Sequence, residues 1–142
     1  MTCFPDVNFW VALTVIEHVH HDRAAAWYEE PSSDRIAFSR ITQMGFLRLL
    51  TNRKALGPDT MSVPGAWKTY ETWRREPRVT YAAEPDGLEA EWRRLGNTLG
   101  HGPNFWTDAY LAAFAMSAGF TLITFDRQLA RVKGLSIELP GA

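Results

Sequence analysis

The sequence has 142 residues, a length typical of one domain with one contiguous core, and we expect a single domain over residues 1–142. Hydrophobic residues make up 46% of it and charged residues 22%, a balance that excludes an intrinsically disordered chain. The formal net charge of −1 excludes nucleic-acid binding through overall basicity, so any such binding has to come from local clusters of arginine and lysine.

Cysteine content and hydropathy predict a soluble, cytoplasmic protein that does not enter a membrane. Cys3 is the only cysteine and cannot form an intramolecular disulfide, as expected in a reducing compartment. The first residues lack the basic region of a signal peptide. The longest uncharged run, residues 110–125, is shorter than the ~20 residues that a membrane-spanning helix needs.

Helices and strands alternate in the first half of the sequence. The predicted elements are a strand at residues 2–5, a helix that follows Asp6, a helix at residues 20–30, a strand at residues 35–38, a helix that follows Ser39, and a helix that begins near Pro64. On the last helix, Trp67, Tyr70 and Trp73 form an aromatic stripe. This stripe either packs in the core or receives a partner protein.

The same alternation continues in the second half. The predicted elements are a short strand at residues 79–82, a helix from Leu88 to Gly100, an amphipathic helix at residues 105–118, a buried strand at residues 121–125 and a last strand at residues 136–139. Such alternation favours a three-layer α/β fold, in which helices flank a central, mostly parallel sheet.

Three aspartates fall at the predicted junctions between strands and helices. Asp6 and Asp126 each follow a strand, and Asp108 lies in the first turn of a helix. Because the carboxyl ends of parallel strands share one edge of the sheet, we expect all three carboxylates to converge there. Each alone can serve simply as a helix cap. Together they repel one another unless a cation or proton intervenes, and their oxygens favour Mg²⁺ or Mn²⁺.

Two polar residues accompany these aspartates. Asn8 lies two residues after Asp6, where its amide can bind a water or a phosphate oxygen, or simply occupy a first helical turn. Thr124 lies two residues before Asp126, on the same side of an extended strand. Its hydroxyl can orient Asp126 or a ligand, or it is an ordinary β-branched residue of a buried strand.

Four ordered motifs resemble those of a known family. They are Asp6-Val7-Asn8 after the first strand, the segment from Thr42 to Asn52, Thr107-Asp108-Ala109-Tyr110-Leu111-Ala112 at the start of the late helix, and Thr124-Phe125-Asp126 after the following strand. In this order and spacing they resemble the PIN-domain family and, within it, the VapC-type toxins of bacterial toxin–antitoxin pairs.

The resemblance implies a PIN-like fold and a Mg²⁺- or Mn²⁺-dependent endoribonuclease that hydrolyses cellular RNA such as transfer or ribosomal RNA. It implies catalytic roles for all three aspartates, with Asp6 and Asp108 as direct metal ligands and Asp126 as a ligand directly or through water. The implied partners are a cognate VapB-type antitoxin, the RNA substrate and a second copy of the chain.

One position departs from the family pattern. The family usually has a glutamate in the third helix where this sequence has Gln43, which offers an oxygen but no charge. Three carboxylates in place of four predict weaker metal binding and a single bound ion. Gln43 then supports a metal ligand or contacts a phosphate, or is an ordinary polar helix residue.

Other basic residues are weaker candidates. Arg48 and Arg127 can contact the RNA backbone, because a guanidinium group pairs well with phosphate, or can be solvated surface charges. His18, His20 and His21 suggest a zinc site, but apart from the distant His101 the sequence supplies no further ligand cluster.

Two other functions stay open. The loss of the family glutamate allows a catalytically impaired PIN-fold module that binds RNA or an antitoxin without cleavage. An aspartate-based phosphoryl-transfer protein is the second alternative. Such a protein needs a lysine just after a late strand or an Asp-x-Asp pair, whereas Asp6 is followed by Asn8.

Overall fold

A five-stranded parallel sheet lies at the centre of the computed structural model, which describes residues 1–100 and 102–141. Its strands are β1 (Thr2–Pro5), β2 (Arg35–Phe38), β3 (Val79–Tyr81), β4 (Thr121–Ile123) and β5 (Ile137–Glu138). They are arranged in the order β3-β2-β1-β4-β5, and every neighbouring pair is parallel. Since parallel neighbours need crossover connections, helices cover both faces, and the three central strands are mostly buried.

Seven helices flank the sheet within the described residues. They are α1 (Val7–Thr14), α2 (His21–Glu29), α3 (Arg40–Leu50), α4 (Arg53–Leu56), α5 (Val63–Arg75), α6 (Leu88–Gly96) and α7 (Phe105–Ala118). Two 3₁₀ turns, Gly57–Asp59 and Arg127–Arg131, are also present. This architecture confirms the predicted three-layer α/β fold. None of the described helices is long and apolar enough to span a membrane.

Aromatic rings pack one face of the sheet against α1, α3 and α5. Trp10 stacks on Phe38 with ring centroids 3.8 Å apart, and Trp73 meets Trp10 edge-on at 5.5 Å. The Trp73 indole also donates a hydrogen bond to Thr14 Oγ1 at 2.9 Å. These contacts hold both ends of α1 against the core, and with them the junction at which β1 becomes α1.

The aromatic stripe of α5 divides between core and surface. Tyr70 is buried and meets Phe38 edge-on at 5.0 Å, and Trp73 is half-buried, so core packing is confirmed for these two residues. Trp67 is 45% exposed and lies outside the core.

The opposite face of the sheet is covered by α7. Phe4 of β1 stacks on Phe114 with ring centroids 4.7 Å apart. The buried residues of α7 include the whole run from Leu111 to Ala115, so the helix is apolar on most sides and the prediction of an amphipathic helix is wrong. The reason is α6, which packs over the side expected to face solvent, with Trp92 edge-on to Tyr110 at 5.3 Å.

Two elements end earlier than the sequence predicts. β4 ends at Ile123 rather than residue 125, because Phe125 leaves the sheet and stacks on Phe9 at 5.0 Å. α6 ends at Gly96 rather than Gly100, because the backbone amides of Thr98 and Leu99 both donate to the carbonyl of Leu95 in a tight turn. The last strand, β5, is also shorter than predicted.

The start of α1 and the middle of α3 are in close contact at Gly45. A Cβ atom added to Gly45 would lie 2.5 Å from Val7 Cγ2, far inside van der Waals contact. Val7 directly follows Asp6, and Gly45 lies two residues after Gln43. This contact therefore sets the spacing between the helical segments that carry these two polar residues.

Gly45→Ala should lower the free energy of unfolding by about 1–3 kcal/mol, because overpacking outweighs the better helix propensity of alanine. Urea unfolding measures this loss. Gly96→Ala is the matched control, since nothing lies within 4 Å of its added Cβ, and it should stabilise the fold by about 0.5–1 kcal/mol. Val7→Ala should relieve most of the Gly45→Ala loss. Strict additivity of the two changes would rule out the clash.

Candidate active site

Asp6 links β1 to α1 at the carboxyl edge of the sheet. Its Oδ1 accepts a hydrogen bond from the Phe9 amide at 2.9 Å, so the side chain caps α1. Its Oδ2 accepts a hydrogen bond from the Thr124 hydroxyl at 2.5 Å. Asp6 therefore caps a helix and also contacts the end of the neighbouring strand.

Thr124 joins two of the three aspartates. It is fully buried just after β4, donates its hydroxyl proton to Asp6 and accepts the backbone amide proton of Asp126 at 3.0 Å. Asp126 in turn caps the 3₁₀ turn Arg127–Arg131 by accepting a hydrogen bond from the Gln128 amide at 2.9 Å. The hydroxyl thus fixes the carboxylate of Asp6 and the main chain of Asp126.

Asp108 lies in the first turn of α7, where the sequence places it. Its half-buried carboxylate has no hydrogen-bond partner among residues 1–100 and 102–141. Asp108 and the exposed Asp126 both line one cavity of about 840 Å³, which we call the carboxylate cavity. Its other lining residues are Arg94, Leu95, Thr98, Leu99, Gly102, Pro103, Asn104, Phe105, Gln128, Leu129, Arg131, Val132 and Lys133.

The three carboxylates interact electrostatically. Burial raises the pKa of Asp6 to about 6, with the charges of Asp126 and Asp108 as smaller contributions, against the lowering effect of the Thr124 and Phe9 donors. Burial also raises the pKa of Asp108, and the charge of Asp126 adds to this. A nearby cation would reverse both shifts, because it stabilises the ionised carboxylates.

A hard divalent cation fits this donor set chemically. The donors are carboxylate oxygens, and each oxygen of Asp6 keeps a second lone pair beside its present hydrogen bond. In the described part of the chain, however, no three His, Cys, Asp or Glu side chains are close enough together to hold a metal ion as they stand. Coordination by all three aspartates therefore requires side-chain rotation, for which the exposed Asp126 has room.

Gln43 is buried and already has a partner. Its Oε1 accepts a hydrogen bond from Arg40 Nη1 at 2.6 Å, so the amide oxygen lies against a guanidinium group. Arg40 also lies over the ring of Tyr81, with its Cζ 5.3 Å from the ring centroid. The sequence indicates the polar residue at this position but not the arginine that binds it.

The other predicted site residues are exposed. Asn8 lies in the first turn of α1, two residues from Asp6. Arg48 lies in the last turn of α3, roughly 12 Å along the helix axis from the Arg40 end. Arg127 starts the 3₁₀ turn but does not line the carboxylate cavity. Both arginines are exposed and neither lines the carboxylate cavity, although Arg127 directly follows Asp126, so their contact with RNA stays a prediction.

Two basic residues of the cavity, Arg131 and Lys133, are absent from the sequence predictions. In the sequence they are a pair of cations five and seven residues after Asp126. This spacing places them near Asp126 only when the intervening residues form the 3₁₀ turn. Arg94 also lines the cavity, but it forms an ion pair with Glu91 at 2.7 Å.

The histidine cluster makes local contacts in place of a metal site. His18 Nδ1 accepts the backbone amide proton of His20 at 3.0 Å, and His21 Nδ1 lies 2.8 Å from the carbonyl oxygen of Ala12. His20 lies against Arg23 and packs on the ring of Phe125. His101, the distant histidine of the zinc hypothesis, lies outside the described residues.

Comparison with known proteins gives consistent similarities. The sequence model of the PIN domain family matches residues 3–135. Ribonuclease VapC41 of Mycobacterium tuberculosis is 40% identical over 139 residues, which cover 94% of this chain and 95% of that protein. Ribonuclease VapC29 of the same species is 34% identical over 137 residues, covering 94% and 92%.

A solved structure has the same fold. VapBC-1 from nontypeable Haemophilus influenzae superposes with a TM-score of 0.68 at 21% identity, over 97% of each chain. At this identity the likeness supports the fold alone.

Asp6→Asn should stabilise the metal-free protein at high pH. The unfolded carboxyl titrates near 3.8 and the folded one near 6, so the folded chain holds an extra proton between these values and the free energy of unfolding falls as pH rises through them. Above pH 6 the penalty is complete and amounts to at most about 3 kcal/mol. Denaturant unfolding in EDTA at pH 4.5, 6 and 8 should show a gain that grows with pH.

The exposed Asp86 provides the control for this measurement. Asp86→Asn should leave the pH profile of stability unchanged. A loss of stability in Asp6→Asn of equal size at all three pH values would show that its cap hydrogen bonds outweigh the burial of its charge.

Proposed function

The chain belongs to the PIN-domain family, and from this membership we propose that it is a Mg²⁺- or Mn²⁺-dependent endoribonuclease that hydrolyses the phosphodiester bonds of cellular RNA. The observation that carries the proposal is the hydrogen-bonded unit of Asp6, Thr124 and Asp126, of which Asp126 lines one cavity with Asp108. Asp6 does not line this cavity, but the charges of Asp108 and Asp126 both raise its pKa. Two relatives that share at least a third of its sequence are named ribonucleases.

The proposed metal ligands are Asp6, Asp108 and Asp126, with one ion bound. When bound, the ion would lower the pKa of a coordinated water and neutralise charge on the phosphate. Asp6 holds a fixed position because two donors bind its two oxygens. Asp108 is the proposed general base, since no hydrogen-bond donor among the described residues occupies its carboxylate, which leaves an oxygen free to accept a proton from the attacking water.

Thr124 has a positioning role in this proposal. Its hydroxyl donates to the ionised form of Asp6 and so lowers the pKa of Asp6. The hydrogen bond uses one lone pair of Oδ2 and leaves the other for the proposed metal ion. Because the same hydroxyl accepts from the Asp126 amide, it also holds the main chain of Asp126 beside Asp6, while the exposed Asp126 side chain stays free to rotate.

Transfer or ribosomal RNA is the proposed substrate, and a VapB-type antitoxin and a second copy of the chain are the proposed partners, in the cytoplasm. The name VapC of the relatives and the VapBC composition of the structural neighbour support the antitoxin.

The two alternatives differ in a simple observable. A phosphoryl-transfer protein would form an acyl phosphate at an aspartate when given a small phosphodonor. An impaired binding module would bind RNA without metal-dependent cleavage, and the arginine bound to Gln43 is the feature that favours it.

Asp108→Asn should reduce RNA cleavage by at least about 100-fold, because the base and one metal ligand are lost together. Asp6→Asn should have a similar effect, and EDTA should abolish cleavage by the parent. Gel-based cleavage of a labelled transfer RNA in Mg²⁺ measures both variants.

Asp59→Asn is the control for these variants, since Asp59 is exposed and lies in a 3₁₀ turn outside the carboxylate cavity. It should cleave as fast as the parent. Equal cleavage by Asp108→Asn and Asp59→Asn would contradict the proposed mechanism.

A carboxylate at position 43 should strengthen metal binding only when Arg40 is also changed. In Gln43→Glu alone, the new carboxylate would pair with the Arg40 guanidinium, which now lies 2.6 Å from the amide oxygen. Calorimetric titration with Mn²⁺ should give a similar Kd for the parent and Gln43→Glu, and a Kd lower by about tenfold for Arg40→Gln/Gln43→Glu. Unchanged affinity in the double variant would place position 43 away from the metal.

A further inference from the structure

Two unpaired cations line the carboxylate cavity together with Asp108 and Asp126. They are Arg131 and Lys133, both exposed, and neither forms an ion pair with any carboxylate in the described part of the chain. The third cation of the lining, Arg94, differs from them because Glu91 neutralises it. The cavity is therefore acidic where the aspartates lie and basic along the segment that follows Asp126.

The distance between these two parts is set by backbone geometry. Asp126 caps the 3₁₀ turn and Arg131 ends it, so a rise of ~2 Å per residue places their backbones roughly 10 Å apart. Leu129 and Val132 are buried within and just after this turn. Because these apolar side chains anchor the segment, the cations are held at a defined distance from the carboxylates.

A phosphodiester strand matches this arrangement of charge. The aspartates alone repel RNA, and a single bound cation neutralises the phosphate under attack but not its neighbours. Guanidinium and ammonium groups bind phosphate oxygens through charge-assisted hydrogen bonds. The partly buried side chain of Leu99 lines the same cavity and offers an apolar contact to a base or ribose between the phosphates.

We propose that Arg131 and Lys133 bind an RNA phosphate adjacent to the scissile one and so position the strand across Asp108 and Asp126. The inference rests on the proposed function for the identity of the ligand as RNA. The residues that carry it are distinct from Arg48 and Arg127, neither of which lines the cavity.

Binding and cleavage are measured separately to test this. The full-length chain in EDTA is titrated against a short, fluorescently labelled single-stranded RNA, and anisotropy is followed at several salt concentrations. Arg131→Ala/Lys133→Ala should raise Kd by about tenfold and reduce the slope of log Kd against log salt by about 0.7 for each lost phosphate contact. In Mg²⁺, the same variant should raise KM for RNA while kcat changes much less.

A charge-matched variant controls for general electrostatics. Lys68→Ala/Arg75→Ala removes the same two charges from the exposed side of α5, outside the cavity. It should bind RNA with the salt dependence of the parent. Arg131→Lys should retain most of the affinity, since it keeps the charge, and thermal unfolding should show that all variants remain folded.

The outcomes separate this inference from the proposed function. If the parent cleaves RNA and the Arg131/Lys133 variant binds and cleaves as well as the parent, the inference is wrong and the proposed function stands. If the parent binds RNA through these cations without cleaving it, the inference stands and the proposed function fails. The inference is overturned if the parent does not bind RNA. It is also overturned if the two double variants lose RNA affinity equally.

Discussion

The hydrogen bond from the Thr124 hydroxyl to the Asp6 carboxylate joins the ends of two adjacent strands, and the geometry of the site depends on it. Parallel strands bring their carboxyl ends to one edge but do not by themselves fix the side chains there. Here one buried hydroxyl serves a carboxylate on one strand and the main chain beyond the other. The register of β1 against β4 therefore sets the distance between the main chains of Asp6 and Asp126.

Stability and function oppose each other at this edge. Burial and mutual repulsion raise the pKa of Asp6 and of Asp108, so ionising these carboxyl groups costs more free energy in the folded chain than in water. The aromatic packing around Trp10 and Phe38 offsets this penalty on one face, and the stack of Phe4 on Phe114 does so on the other.

The sequence was sufficient for the fold class, and for placing three aspartates at strand–helix junctions, because both follow from short-range periodicity and from ordered motifs. It was insufficient wherever a long-range contact decides the outcome. Nothing local indicates that α6 covers α7, that Arg40 occupies the oxygen of Gln43, or that Phe125 leaves its strand to stack on Phe9. The guanidinium groups of Arg48 and Arg127 make them candidates for contact with phosphate. The cavity is instead lined by Arg131 and Lys133, which the 3₁₀ turn brings near.

The burial of α7 on most of its sides has a consequence for motion. The middle of a helix enclosed in this way cannot loosen locally without exposing much of the core, so the segment that follows Asp108 should stay in place until the domain unfolds. The wall that carries Asp126 is a short 3₁₀ turn that Leu129 anchors to the core, so its exposed side chains have more freedom to move than its backbone. Both walls of the cavity therefore keep a fixed backbone, and a bulky polymer is accommodated by movement of exposed side chains such as that of Asp126.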